Sequence, residues 1–228
     1  MSKVRTPASA AARKRQKIAA FSAAGIVLIA GATVSSFAAW TDTEWVYGGA
    51  DTEPNVTTSI FEVNQNTTAL TTAASWVNEE TSPGGKVDFG MDATALVPDE
   101  PVYGYVRLRT TVESLPGSVT LSAATQGAGE PDLFAALRYG ARIVASPADC
   151  TAAGFAAATA PDASLVAPGS LMSTAGADAF PLDGGTLTVP GAEKTICFEL
   201  ELPAPADDAL QGDGAQAVWS FTSISVTP

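Results

Sequence analysis

The 228-residue chain contains no histidine. That absence removes Ser-His-Asp and Cys-His catalysis and every zinc site built on imidazole. Cysteine is scarce as well: two residues make neither a four-cysteine metal site nor a disulfide-dense scaffold. No HExxH, GxSxG, GxxxxGK(S/T) or CxxC pattern occurs, and Gly212-Asp-Gly214 precedes a strand pattern, the wrong setting for a dinucleotide loop. Positive charge is rare after Lys17, with six Lys or Arg against all 24 Asp and Glu. Segment 39–228 therefore carries a net −18, which speaks against nucleic-acid binding.

The other six basic residues lie at Lys3, Arg5, Arg13, Lys14, Arg15 and Lys17, and no acidic residue precedes Asp42. An apolar run from Ile18 to Ala32 follows them, and then Ser36-Phe37-Ala38. A charged region, an apolar region and a small-x-small site form the pattern of a secretory signal peptide at 1–38. Signal peptidase is expected to cut between Ala38 and Ala39. The competing reading is an uncleaved anchor, since Ile18–Ala39 is 22 residues, long enough to span a bilayer. That segment is the only expected membrane contact. No cysteine near the cut offers a lipid attachment point, and Val226-Thr227-Pro228 is neither a sorting sequence nor a hydrophobic tail. The mature protein is thus expected to be secreted, either released or held by association.

Segment 51–228 is long enough for one domain with a sizeable core. Period-2 alternation marks its strands. In Val102–Val112, one face carries Val102, Gly104, Val106, Leu108 and Val112 and the other carries Tyr103, Tyr105, Arg107 and Arg109. In Lys194–Leu202, Ile196, Phe198, Leu200 and Leu202 are expected inside, with Thr195, Cys197, Glu199 and Glu201 outside. Further strands are expected at Thr57–Val63, Lys86–Phe89, Val119–Ala124, Arg138–Val144, Thr186–Val189 and Ala217–Thr227. In the last, Trp219 and Phe221 have one parity and Ile224 and Val226 the other, so a bulge is expected near Thr222-Ser223. One short helix is expected at Asp132–Leu137, opened by Pro131. Short strands between Gly, Pro and Asp turns point to an all-β fold, an antiparallel β-sandwich. The Ala/Gly-rich stretch 146–180 has little periodicity and is expected to be a long, mobile excursion, partly helical.

Cys150 opens that excursion and Cys197 lies in a late strand. In an exported chain two cysteines are expected to pair, tying the excursion to the sheet; free thiols are the alternative. The carboxylate pairs Glu79-Glu80, Asp99-Glu100 and Asp207-Asp208 lie beside turns, where solvated loop charge outweighs glycosidase or calcium chemistry. No catalytic residue, cofactor or metal is expected.

The junction Gly31-Ala-Thr-Val-Ser-Ser-Phe-Ala-Ala-Trp-Thr-Asp-Thr-Glu44 resembles the SipW-dependent signal-peptide junction of the TasA/camelysin family, with Ala39-Trp40-Thr41-Asp42 at the mature start. Leu96-Val-Pro-Asp-Glu-Pro-Val-Tyr-Gly-Tyr-Val-Arg-Leu-Arg109 resembles that family's turn followed by an alternating strand, with Asp99 where the family often has glycine. Ala217-Val-Trp-Ser-Phe-Thr222 resembles its closing aromatic strand, while Thr111–Ser118 departs from its pattern and the middle excursion is unmatched. The Ala-rich composition fits a high-GC Gram-positive source. The resemblance implies a secreted, jelly-roll-like sandwich that forms fibres, as in biofilm matrix. Surface metalloprotease activity, ascribed to camelysin members, has no conventional zinc site here.

Two functional readings follow. In the first, the protein is a structural subunit whose partner is itself. Segment 39–50 then acts as a donor strand: Trp40, Trp45 and Tyr47, with Asp42 among them, leave a new N-terminus that needs a groove, in a neighbour or in its own sheet. In the second, it is a monomeric adhesin or carbohydrate-binding module using Tyr103, Tyr105, Arg107 and Arg109. That face alternatively rests against the chain's own acidic loops.

Overall fold

The computed structural model describes residues 59–160 and 163–227. The described residues form ten strands: β1 (Val63–Asn66), β2 (Val102–Thr110), β3 (Gly117–Leu121), β4 (Thr125–Gly129), β5 (Arg138–Val144), β6 (Ser164–Leu171), β7 (Phe180–Leu182), β8 (Lys194–Glu201), β9 (Ala215–Val218) and β10 (Phe221–Ser225). Two short helices, α1 (Pro131–Ala136) and α2 (Ala152–Ala157), join them. One sheet has the order β1-β2-β8-β5-β6 and the other β10-β3-β7, with every strand pair antiparallel. β4 and β9 prolong β3 and β10 as a ribbon, joined where the Ser122 N–H donates to the Ser220 carbonyl (2.9 Å). The fold is an antiparallel β-sandwich.

Its core lies between the sheets. Val106, Leu108, Tyr139, Ala141, Ile196 and Phe198 line the inner face of the larger sheet and pack in one cluster with Val119, Leu121, Phe180 and Leu182. Each fully buried apolar side chain of this size contributes about 1.5–3 kcal/mol.

Alternation assigned the faces within β2 and β8 correctly, but Val112, expected on the inner face, lies past the end of β2 and is 41% exposed, and β8 is buried on both faces. Thr195 and Cys197 are 2% and 0% exposed, and Glu199 is also buried. β8 is the central strand of its sheet, and the chain covers the outer face. The cover comes from the stretch expected to be a mobile excursion. There the 3-10 turn Pro147–Asp149 leads into α2, and Phe155 packs with Val144 and Cys197 on the outer face. Thr151 caps α2 by accepting from the Gly154 N–H, and a Cβ at Gly154 would fall on the Asp149 carbonyl oxygen. Further along, the same stretch supplies edge strand β6, whose pairing with β5 breaks between Val166 and Ser170, around Pro168. Proline lacks an N–H, so it suits such a bulge.

Other expectations need correction. Lys86–Phe89 and Thr186–Val189 are not strands; the latter is a tight loop closed by Thr186 N–H to the Val189 carbonyl, with Leu187 79% exposed. Strand β1 starts at Val63, with Ile60 making only an isolated bridge to Ser114. Ala217–Thr227 is not one bulged strand. The break lies at Trp219-Ser220, and β10 runs in continuous register from Phe221–Leu121 to Ser225–Gly117. The parity conflict is resolved by leaving Ile224 and Val226 about half exposed. The expected helix forms, one residue earlier, at Pro131–Ala136.

Candidate functional site

Cys150 and Cys197 form a disulfide, which fastens the α2 segment to β8. Glu199 lies two residues further along β8 and accepts from the Tyr103 hydroxyl at 2.8 Å. Burial, reinforced by that hydrogen bond and the Glu199 charge, pushes the Tyr103 hydroxyl well above its ordinary range. Tyr103 also packs against Phe155, with ring centroids 5.8 Å apart.

The expected face of Tyr103, Tyr105, Arg107 and Arg109 exists as a register, but not as an open surface. Arg107 is 3% exposed. Its Nη2 donates to the Thr68 and Leu70 carbonyls (2.9 and 2.6 Å), and its Nη1 lies 3.5 Å from Glu193. The loop after β1 brings Trp76 under both guanidinium groups, at 5.1 Å for Arg107 and 4.0 Å for Arg109. Tyr105 and Arg109 remain half-buried. Asn66 belongs to a glycosylation sequon, yet its side chain is fully buried and bonded to Leu70, Ser75 and Thr68, so it is closed to modification in the folded state.

The six carboxylates of the acidic pairs are all exposed and assemble no acid–base pair. Asp99 and Asp207 instead hold turns, accepting from the Ala204 and Ala209 N–H groups at 2.8 and 2.9 Å. Ala38, Ala39, Trp40, Asp42, Trp45 and Tyr47 lie outside the described residues.

Among the described residues, a cleft of about 1420 Å³ opens between the sheets. Its floor is the inner face of β2 and β8, with Val106, Leu108, Phe198 and Leu200. Phe89, Trp219 and Phe221 form its walls. Trp219 sits at the β9–β10 break with its ring 4.8 Å from Phe198 and 6.4 Å from Phe89. Carboxylates stand around it, among them Glu62, Glu79, Glu80, Asp207 and Asp208. β10 borders the cleft, and among the described strands its only neighbour is β3. A strand with one described neighbour beside a trough floored and walled by aromatic and aliphatic side chains offers backbone donors and acceptors together with a place for side chains.

Sequence reading missed this cleft. Its walls come from residues some 130 positions apart, such as Phe89 and Trp219, and no local pattern joins them. The one available signal was the shared parity of Trp219 and Phe221. Comparison with protein-family models finds no match for the chain, and comparison with curated proteins finds none either.

Proposed function

We propose that this chain is a secreted structural subunit of the cell surface or matrix that self-associates into fibres. The docking element is segment 39–47 of one copy, and the receptor is the inter-sheet cleft of the next. The cleft with its aromatic walls, lying beside β10, whose one neighbour among the described strands is β3, carries this reading. An incoming strand pairs with β10 through its backbone and lays aromatic side chains among Phe89, Trp219 and Phe221. Each of Trp40, Trp45 and Tyr47 buries on the order of 150–250 Å² at roughly 25 cal/mol per Å², enough to offset the ordering of a short segment. Head-to-tail contacts of this kind need not close, so a filament results. In this reading the first 38 residues are removed on export, the sandwich is jelly-roll-like, and the role is structural rather than catalytic.

A chain beginning at Gly49 tests it. That protein should keep a β-rich circular dichroism spectrum and stay monomeric, while a chain beginning at Ala39 gives filaments by negative stain. Equal filaments at an equal rate from both would discard the donor segment. The adhesin reading would then move ahead, although its four-residue face has Arg107 folded beneath the loop after β1.

A further inference from the structure

Arg109 stands apart from the other arginines. Arg138 donates to the carbonyls of Ala135, Ala136 and Leu137, and Arg142 to that of Phe155. Arg107 is held by Thr68 and Leu70. The Arg109 guanidinium has its ring contact with Trp76 but no hydrogen bond or ion pair to any described residue. The Nε atoms of Arg107, Arg109 and Arg142 are all buried without a partner, so what sets Arg109 apart is that its outer guanidinium nitrogens have no partner either. Two guanidinium groups share the Trp76 ring, and the one carboxylate paired with them, Glu193, lies on Arg107 at 3.5 Å. The cluster therefore carries one uncompensated positive charge on a strongly acidic chain. Burial lowers the Arg109 pKa, with Glu193 opposing and Arg107 adding to the effect, but the group stays charged.

We propose that Arg109, seated on Trp76 beside Arg107, is a carboxylate-binding site. The guanidinium fork matches a carboxylate in two parallel hydrogen bonds, and the indole beneath holds the fork in place. An acidic side chain of a second copy and a small free dicarboxylate present the same group. The site stands independently of the fibre reading.

The test uses ¹⁵N-labelled full chain at constant ionic strength, with sodium succinate replacing sodium chloride. The arginine Nε–H resonances are followed. Two of them should shift saturably at millimolar succinate and stay fixed in chloride. Arg109→Lys keeps the charge but loses the fork, and should weaken binding about tenfold. Arg109→Gln should abolish it, and the amide spectrum reports whether each variant is folded. If Arg109→Gln does not fold, the wild-type chloride comparison and Arg109→Lys decide. No saturable shift, an equal shift in chloride, or a full response in folded Arg109→Gln would overturn the site. Sedimentation velocity separates the sources. If a second copy fills the site, Arg109→Gln weakens self-association and succinate competes with it. If a free dicarboxylate fills it, sedimentation is unchanged while the resonances still shift. Succinate binding without filaments would retain this site and reject the fibre reading.

Discussion

Asp99 shows how one residue carries a turn. Its φ is +66°, Pro98 precedes it, and the Glu100 N–H donates to the Val97 carbonyl at 3.1 Å, the pattern of a type II turn. Glycine suits that position best, and a side chain there costs about 1–2 kcal/mol. Asp99 offsets the strain by accepting from the Ala204 N–H. Asp99→Gly should therefore change stability by less than about 1 kcal/mol, while Asp99→Ala keeps the strain, loses the bond and costs about 1–2 kcal/mol. Thermal melts of the two variants check the order. Tyr139 is fully buried and donates its hydroxyl to the Thr174 carbonyl. Burial pushes its pKa up to about 12. In the unfolded chain the same group ionises near 10. Its contribution to stability is full below pH 10 and is lost as pH rises through about 12. Denaturant midpoints between pH 9 and pH 12 should fall for the native protein. Tyr139→Phe should lower the neutral midpoint, by about 1 kcal/mol for the lost bond, and flatten the alkaline limb. An unchanged limb in that variant would assign it to other groups.

At the scale of elements, the 146–157 segment seals the outer face of β8. The disulfide at its root joins residues 47 positions apart in sequence. The chain-entropy model assigns such a closure roughly 4 kcal/mol. Reduction, or the double variant Cys150→Ala/Cys197→Ala, should lower urea stability by about that amount while leaving the far-UV spectrum β-rich. Phe155 is 2% exposed between Tyr103 and the Arg142 guanidinium, whose centre lies 4.9 Å from the ring. Phe155→Ala should cost about 3–5 kcal/mol. Because the cap lies on the opposite face from the inter-sheet cleft, the proposed fibre reading expects that variant to assemble like the parent chain wherever it remains folded. A folded Phe155→Ala that no longer assembles would place the outer face at the interface.

At the scale of the whole molecule, charge is left uncompensated. Six basic residues face 24 acidic ones in segment 39–228. The arginines Arg107, Arg138 and Arg142 are spent mainly on backbone carbonyls, and Arg107–Glu193 is the one ion pair among the described residues. Copies therefore repel at long range, and the proposed assembly relies on short-range contact, chiefly aromatic docking, to outweigh that repulsion. Raising salt from about 0.01 M to 0.15 M shortens the Debye length from about 30 Å to 8 Å. Fibre growth followed by light scattering should accelerate over that range. Slower growth at the higher salt would instead mean that charge pairing, not aromatic docking, joins the subunits.

Sequence periodicity determined the all-β class, β2, β5 and β8, because alternating burial on a pleated strand writes itself into neighbouring residues, and Pro131 marked the start of the first helix. The expectation of export pointed to the Cys150–Cys197 pair, since two cysteines expected in an oxidising compartment have few partners, and the structure joins them. Three features were decided only in the tertiary structure. Thr195, Cys197 and Glu199 are buried because a distant helix covers them, and alternation reports direction, not cover. Ser164–Leu171 pairs as a strand although its Ala-Pro-Gly centre has no strand signal, since β5 supplies a templating edge. The cleft and the Arg107–Trp76–Arg109 stack join residues from separate stretches of chain, so their chemistry exists only after the sheets have packed.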